Sequence, residues 1–431
     1  MMSEPARAQP PPAQISVGER ALDAFLDAAR YAAPHELPGL LTRHARYLGA
    51  LDATIYLVDL QQVSLTPFLG QARPGTAPHP TLLAIDSTVA GRVHQHEQVI
   101  VQPGQDSDAM VWLPLRDGAT RLGVLCVHVA DPDEVATPGA PLAVWLRRLG
   151  ALVGQLLALR NRYGDSIVIA TRAAEISLAS EIQWGVIPPL TFDSAQVSIA
   201  AILEPAYDVA GDSVDYAVDP GFARLAIFDG MGHGLHAAQL ASLSVAAYRN
   251  ARRGGRSLTA TAAMIDEAVE AGSGAESYTT AVLAELDTGS GHLSWVSAGH
   301  PEPLLLRQGQ LVRSLHVDPG LPFGLALGAE HGYAVGTEHL EPGDHVLFHT
   351  DGVTEARSPS GELFGVDRLV DLLARNVADS LPPAESMRRV GRALLAHQQA
   401  HLTDDATMLL LVWPGPGDTD VAPVTSAGAS G

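Results

Sequence analysis

Residues 223–234 read ARLAIFDGMGHG. The apolar run Ala223–Phe228 predicts a buried strand, and Asp229 stands at its end. Asp and Gly are poor strand formers, so at a strand end they mark a turn or a site. Gly230 leaves its carbonyl open to a ligand, with no side chain in the way. Gly230, Gly232 and Gly234 then lead into a predicted helix, Leu235–Asn250. Three more stretches repeat the pattern in the C-terminal half: AGDSVD at Ala210–Asp215, HTDGVTEAR at His349–Arg357 and TDDAT at Thr403–Thr407. Taken singly, each is ordinary turn chemistry. Together they predict that the carboxylates of these four stretches converge on hard divalent cations, Mn²⁺ or Mg²⁺.

Clustered carboxylates repel one another in a partly buried site, and cations relieve that repulsion. Two ions about 4 Å apart would do so and would acidify a water held between them. The expected arrangement therefore includes a nucleophile.

Composition narrows the alternatives. The chain has 431 residues, 27 basic against 48 acidic, for a net charge of −21. That balance disfavours nucleic acid or an anionic membrane as partner. Every basic side chain is Arg and no Lys occurs, which excludes a Walker-type phosphate-loop lysine, a kinase strand lysine and a Schiff base. No secretory signal is read at the N-terminus, and no apolar stretch near the roughly 20 residues of a membrane span. The single Cys126 lies in the apolar run LGVLCVHV and is expected in a core. The expected location is the cytoplasm.

The length calls for two domains. Pro/Ala-rich residues 1–15 and Gly/Ser-rich residues 415–431 read as disordered tails. Residues 16–160 read as an α/β domain, with helices at Arg20–Ala29 and Gly39–Leu48, a strand at Ala53–Val58 and a hairpin from Val111–Leu115 and Leu122–Val129. A long helix follows, striped by Leu142, Trp145, Leu146, Leu149, Leu152, Val153 and Leu156 at i, i+3, i+4, i+7 spacing. The stripe is broad enough to pack on its own sheet and to offer a seam to a second copy. One continuous helix is expected over Ile167–Val186, ended by Pro188-Pro189, within a segment at residues 161–190 that reads as a signalling linker or as a plain connector. Strands then dominate residues 191–414, with helices inserted in pairs, Leu235–Asn250 with Ser257–Ala271 and Val366–Val377 with Ala384–His401. That order indicates α+β layers and not a doubly wound sheet.

The succession GD…D, DGMGHG, SAGHPEP, PGLPFG, TDGVTEAR, FG, DDAT resembles the metal-dependent serine/threonine phosphatases of the type 2C superfamily, in their bacterial SpoIIE/RsbU branch. It runs from Glu181 to Pro414, and SEIQWGVIPPL at Ser180–Leu190 resembles the lead-in to that domain. The resemblance implies an αββα sandwich holding two Mn²⁺ or Mg²⁺ ions. Asp212, Asp229, the Gly230 carbonyl, Asp351 and Asp404 would be the ligands, with Asp229 bridging. Asp215, Thr279, Thr280, Asp405 and Thr407 would support them. His233 and His300 are candidate general acids or glycine-flanked turn residues. Ala210, Ser213, Val214, His349 and Glu302 depart from the family's pattern without removing a ligand.

The N-terminal module resembles a GAF sensor, with a PAS-type sensor as the alternative. His94 and His96 are expected on its surface. The resemblance implies a dimeric, sensor-regulated protein phosphatase acting on a phosphoserine or phosphothreonine of a STAS-type anti-sigma-factor antagonist. A phosphatase-like scaffold without turnover, and a hydrolase of small phosphate esters, are the competing readings.

Overall fold

The structure is a computed structural model of the chain, and it describes residues 16–70, 81–104, 107–137, 139–273, 277–325, 332–399 and 404–416. The expected tails, apart from Gly415 and Pro416, lie outside these. The chain divides into two compact units. One comprises residues 1–173 without the turn at 118–120. The other is that turn with residues 174–431.

The first unit holds α1 (Val17–Ala29), α2 (Leu37–Tyr47), β1 (Ala50–Val58), β2 (Ser64–Phe68), β3 (Leu83–Ala84), α3 (Val89–His96), β4 (Ile100–Pro103), β5 (Ala109–Asp117), β6 (Thr120–Val129), α4 (Pro141–Arg160) and α5 (Ser166–Ala170). Ser16 opens α1 through a capping box: its hydroxyl accepts the Glu19 N–H, and Glu19 accepts the Ser16 N–H. The sheet order is β3-β2-β1-β6-β5-β4. Phe25, Leu41, Leu146, Leu149 and Val153 bury one face of it against Ile55, Leu113 and Val127. Each such side chain contributes about 1.5–3 kcal/mol. The opposite face packs Val93, Trp112, Val124 and Cys126.

Three expectations change in this unit. His94 is buried while His96 is exposed, because α3 lays the His94 side of its surface on the sheet. The helix through residues 141–163 is long and apolar enough to cross a membrane by length and composition, although no such stretch was expected. Here Leu146, Leu149, Val153 and Leu157 of that helix lie in the unit's core. Finally, the continuous helix over residues 167–186 is two helices. Ser177 adopts an extended conformation, its hydroxyl caps the Ser180 N–H, and its own N–H bonds the Tyr207 carbonyl. A capped start with an outside partner replaces the helical ladder there.

The second unit holds α6 (Leu178–Val186), β7 (Thr191–Asp193), β8 (Ser198–Glu204), β9 (Asp212–Asp219), β10 (Phe222–Gly230), α7 (Gly234–Arg253), α8 (Leu258–Ser273), β11 (Thr279–Asp287), β12 (His292–Ala298), β13 (Leu304–Arg307), β14 (Gln310–Ser314), β15 (Gly336–His339), β16 (Asp344–His349), α9 (Asp351–Thr354), α10 (Gly365–Ala378), α11 (Pro383–His397) and β17 (Ala406–Trp413). Two antiparallel sheets form, β15-β12-β11-β10-β9 and β14-β13-β16-β17-β8-β7. Their facing sides share a core of Val214, Leu225, Ile227, Val282, Phe348, Leu409 and Leu411. The outer face of the first sheet packs Phe228 against Leu240, Tyr248 and Ile265 of α7 and α8. Leu369, Leu373, Val390 and Leu394 of α10 and α11 cover the second. The result is an αββα sandwich. Strand alternation explains it, since β10 and β17 are apolar on both faces and must be covered twice.

Candidate metal centre

The antiparallel register sets Asp212 of β9 opposite Asp229 of β10, and Asp229 opposite Thr280 of β11. Opposite residues share a face of the sheet, so the two carboxylates stand side by side. Close backbone approach brings their loops together. A Cβ on Gly211 would meet the Gly230 carbonyl oxygen at 2.5 Å, and the Gly230 N–H donates to the Gly211 carbonyl. Likewise a Cβ on Gly352 would overlap the Asp405 carbonyl. The glycines beside Asp212 and Asp351 are therefore spacing residues, each letting one acidic loop lie against another.

The second sheet reaches the first through Thr350. Its hydroxyl donates to Asp212 Oδ2 at 2.8 Å and accepts the Thr407 N–H at 3.0 Å. Asp405 makes a further bridge, its Oδ2 accepting the backbone N–H of Gly211 at 2.6 Å and of Ala210 at 2.8 Å. Asp404 Oδ1 accepts the Asp405 N–H at 2.9 Å.

The charges report their crowding. Asp212, 1% exposed, is raised well above the ordinary carboxylate range by burial, then by Asp229 and Asp405. Asp229 is pushed up to about 7 by burial and by Asp351, Asp404 and Asp405. Asp404 is raised by burial, with Asp351 and Glu355 adding to it. No cation figures among these causes; what acts the other way is hydroxyl hydrogen bonding, from Thr407 and Thr350 to Asp212 and from Thr280 to Asp229. Among the described residues, no three His, Cys, Asp or Glu side chains are closed into a ready cage. The carboxylates approach one another without sharing a point. This donor set is all oxygen, acidic and uncompensated, and it fits hard divalent cations such as Mn²⁺ and Mg²⁺.

The remaining candidates separate by position. Thr280 bonds His300 Nδ1 at 2.8 Å. Burial and neighbouring His349 hold His300 far down, at about 3. His233 is exposed at the start of α7, four residues beyond Asp229. Thr279 is buried against Ser244. Asp215, 1% exposed, lies three residues from Asp212 and so on the other face of β9. There Arg249 and Arg252 hold it in ion pairs of 2.7 and 3.0 Å.

Sequence reasoning assigned no role to Thr350, although it flanks Asp351. It also missed α6. Ser180, Gln183 and Trp184 donate to the carbonyls of Val209, Ala210 and Ala206 at 2.9, 2.5 and 2.7 Å, gripping the segment just before Asp212. The motif SEIQW carried that signal as polar residues on one side of a helix.

Residues 219–414 match the family model described as Stage II sporulation protein E (SpoIIE). The chain is 26% identical over 238 residues to the phosphoserine phosphatase RsbU of Bacillus subtilis (strain 168), covering 55% of this chain and 70% of that protein. It is 28% identical over 133 residues to Protein IcfG of Synechocystis sp., covering 31% of this chain and 20% of that one. A solved structure of the RsbU and RsbW domains of a Mycobacterium tuberculosis protein is similar with a TM-score of 0.44 and 26% identity. That match covers 52% of this chain and 62% of the other. Residues 219–414 thus resemble the SpoIIE/RsbU branch of the metal-dependent type 2C phosphatases.

Proposed function

We propose that the second unit is a metal-dependent protein serine/threonine phosphatase whose reaction is built on Asp212 and Asp229. The observation that carries this reading is their cross-strand pairing, with each carboxylate driven up by burial and by its acidic neighbours. Asp212, Asp229, the Gly230 carbonyl, Asp351 and Asp404 would hold two Mn²⁺ or Mg²⁺ ions. Bound there, the cations would acidify a water into the nucleophile that attacks the phosphoryl group. The chain's own residues prepare the place. Thr350 orients Asp212, Thr280 lies opposite Asp229, and Gly211 and Gly352 let the loops close. His300 is held neutral and cannot supply a proton near neutral pH. His233, exposed beside the acidic loop, is left to protonate the departing seryl or threonyl oxygen.

The substrate in this reading is a phosphorylated partner protein of the STAS-type anti-sigma-factor antagonist class. The resemblance to RsbU supports that assignment, and the acidic surface suits a discrete protein partner. We further propose that the first unit is a cytoplasmic GAF-like sensor acting through a homodimer. The half-buried Trp145, Leu152 and Leu156 flank the buried stripe of α4 and support that seam. The test is dephosphorylation of phosphoserine and phosphothreonine proteins with Mn²⁺ or Mg²⁺. Cation-dependent release of phosphate supports the reading, and no turnover with either cation contradicts it. Asp229→Asn separates enzyme from scaffold, since only an enzyme loses its biological output with the carboxylate.

A further inference from the structure

We infer that Asp405 is a backbone clamp that positions Asp212, and not a ligand of the cations. Its Oδ2 accepts the N–H groups of Gly211, Ala210 and Asp212 at 2.6, 2.8 and 3.4 Å. Three consecutive amides converging on one carboxylate oxygen form an anion-holding concavity of backbone. Bonds to a charged acceptor are about twice as strong as neutral ones. The amides lie 193–195 residues away in the chain, so the clamp ties the lead-in of β17 to the lead-in of β9.

The clamped segment is held from its other side as well. Its carbonyls at Ala206, Val209 and Ala210 receive Trp184, Ser180 and Gln183 of α6. With amides taken by Asp405 and carbonyls by α6, residues 206–211 have little freedom, and Asp212 begins β9 at the end of that tether. The clamp itself is fixed by the Asp404 carboxylate on its N–H and by Gly352 packed on its carbonyl. Burial raises the Asp405 carboxyl on balance, and the three amides pull against it. Asp405 is thus a positioning residue, and this assignment rests on the reading of Asp212 as a ligand.

Two variants of the full chain test it, Asp405→Ala and Asp405→Asn. The readouts are Mn²⁺ titration by calorimetry, and hydrogen exchange and melting in EDTA. The clamp predicts that Asp405→Ala still takes up two Mn²⁺, roughly tenfold more weakly or worse, as removal of an orienting group does. In EDTA its amides at residues 209–213 exchange faster and it melts lower than wild type. Asp405→Asn keeps an acceptor oxygen and recovers wild-type affinity within about threefold. A ligand behaves oppositely: Asp405→Asn would bind one Mn²⁺ fewer. That result, or wild-type exchange and affinity in Asp405→Ala, overturns the clamp. Should wild type bind no Mn²⁺, the cation reading itself fails, and the exchange arm still judges the clamp.

Discussion

Asp212 and Asp229 occupy facing positions in neighbouring antiparallel strands, so two carboxylates share a buried patch of one sheet. Burial and then Asp229 and Asp405 raise the affinity of Asp212 for protons, burial with Asp351, Asp404 and Asp405 raises that of Asp229, and no cation of the chain stands among the groups acting on them. Such a pair is held in place by the rest of the fold at a cost in stability.

Removing one charge should therefore stabilise the metal-free protein. Asp229→Asn is expected to melt higher than wild type in EDTA, and to lose the upward shift that Mn²⁺ gives wild type. Its phosphatase activity should fall roughly 100-fold or more, the loss expected when charge stabilisation at the reacting group goes. Differential scanning fluorimetry with and without Mn²⁺ checks the first two outcomes, and phosphate release checks the third.

The sign of the pH dependence follows from the same carboxyl. Asp229 titrates at about 7 in the fold against 3.8 ordinarily, so between those values the folded state holds more protons than the unfolded one. The stabilisation is complete below pH 3.8 and is lost as pH rises through 7. Urea midpoints in EDTA should fall from pH 5 to pH 8, and Asp229→Asn should shrink that fall. An equal fall in both proteins would remove Asp229 as its source.

Asp215 predicts a different phenotype. Its buried carboxylate satisfies Arg249 and Arg252, and Arg249 also donates to the Val186 carbonyl at the end of α6 at 2.5 Å. Asp215→Ala leaves Arg252 nearly buried without that partner. The expected cost is about 3 kcal/mol, since breaking a buried pair strands a charge. The number of Mn²⁺ ions bound should stay unchanged. Urea unfolding and calorimetry read the two effects.

The glycine spacings give a steric prediction. Alanine at Gly352 would drive its Cβ into the Asp405 carbonyl, and alanine at Gly211 into the Gly230 carbonyl. Both variants should bind Mn²⁺ more weakly, Gly352→Ala the more severely. Gly221→Ala, at a turn where a Cβ has open space, should pay only for its positive φ and keep wild-type Mn²⁺ affinity.

Cys126 offers a check on the first unit. Burial, with Asp52 nearby, pushes its thiol up to about 12. Alkylation by iodoacetamide at pH 8 should be slower than for a free thiol by roughly a thousandfold, since the thiolate is the nucleophile. Fast labelling of the native protein would contradict the burial of β6.

Much of the sandwich was legible because its strands are short apolar runs bounded by Asp and Gly. Strand-end aspartates also marked their own site, as local composition records where a chain turns. What stayed hidden depends on distant partners. Asp215 lies three residues from Asp212 and looks equally acidic, yet strand alternation sends it to Arg249 and Arg252 on the other face. Ser177 lies within a helical period, and only the Tyr207 carbonyl that it bonds makes it a helix start. Short edge strands such as β3 and β15 carry too few residues for alternation to show. Thr350 was visible as a neighbour of Asp351, but its hydroxyl reaches a carboxylate 138 residues away, and no local pattern encodes that.

Calorimetric titration of the 431-residue chain with Mn²⁺ reaches the central claim most directly. The account predicts two ions bound per chain, and impaired uptake once Asp229 is replaced by Asn. Uptake of no Mn²⁺ by the wild-type chain, or unchanged uptake in Asp229→Asn, would contradict it.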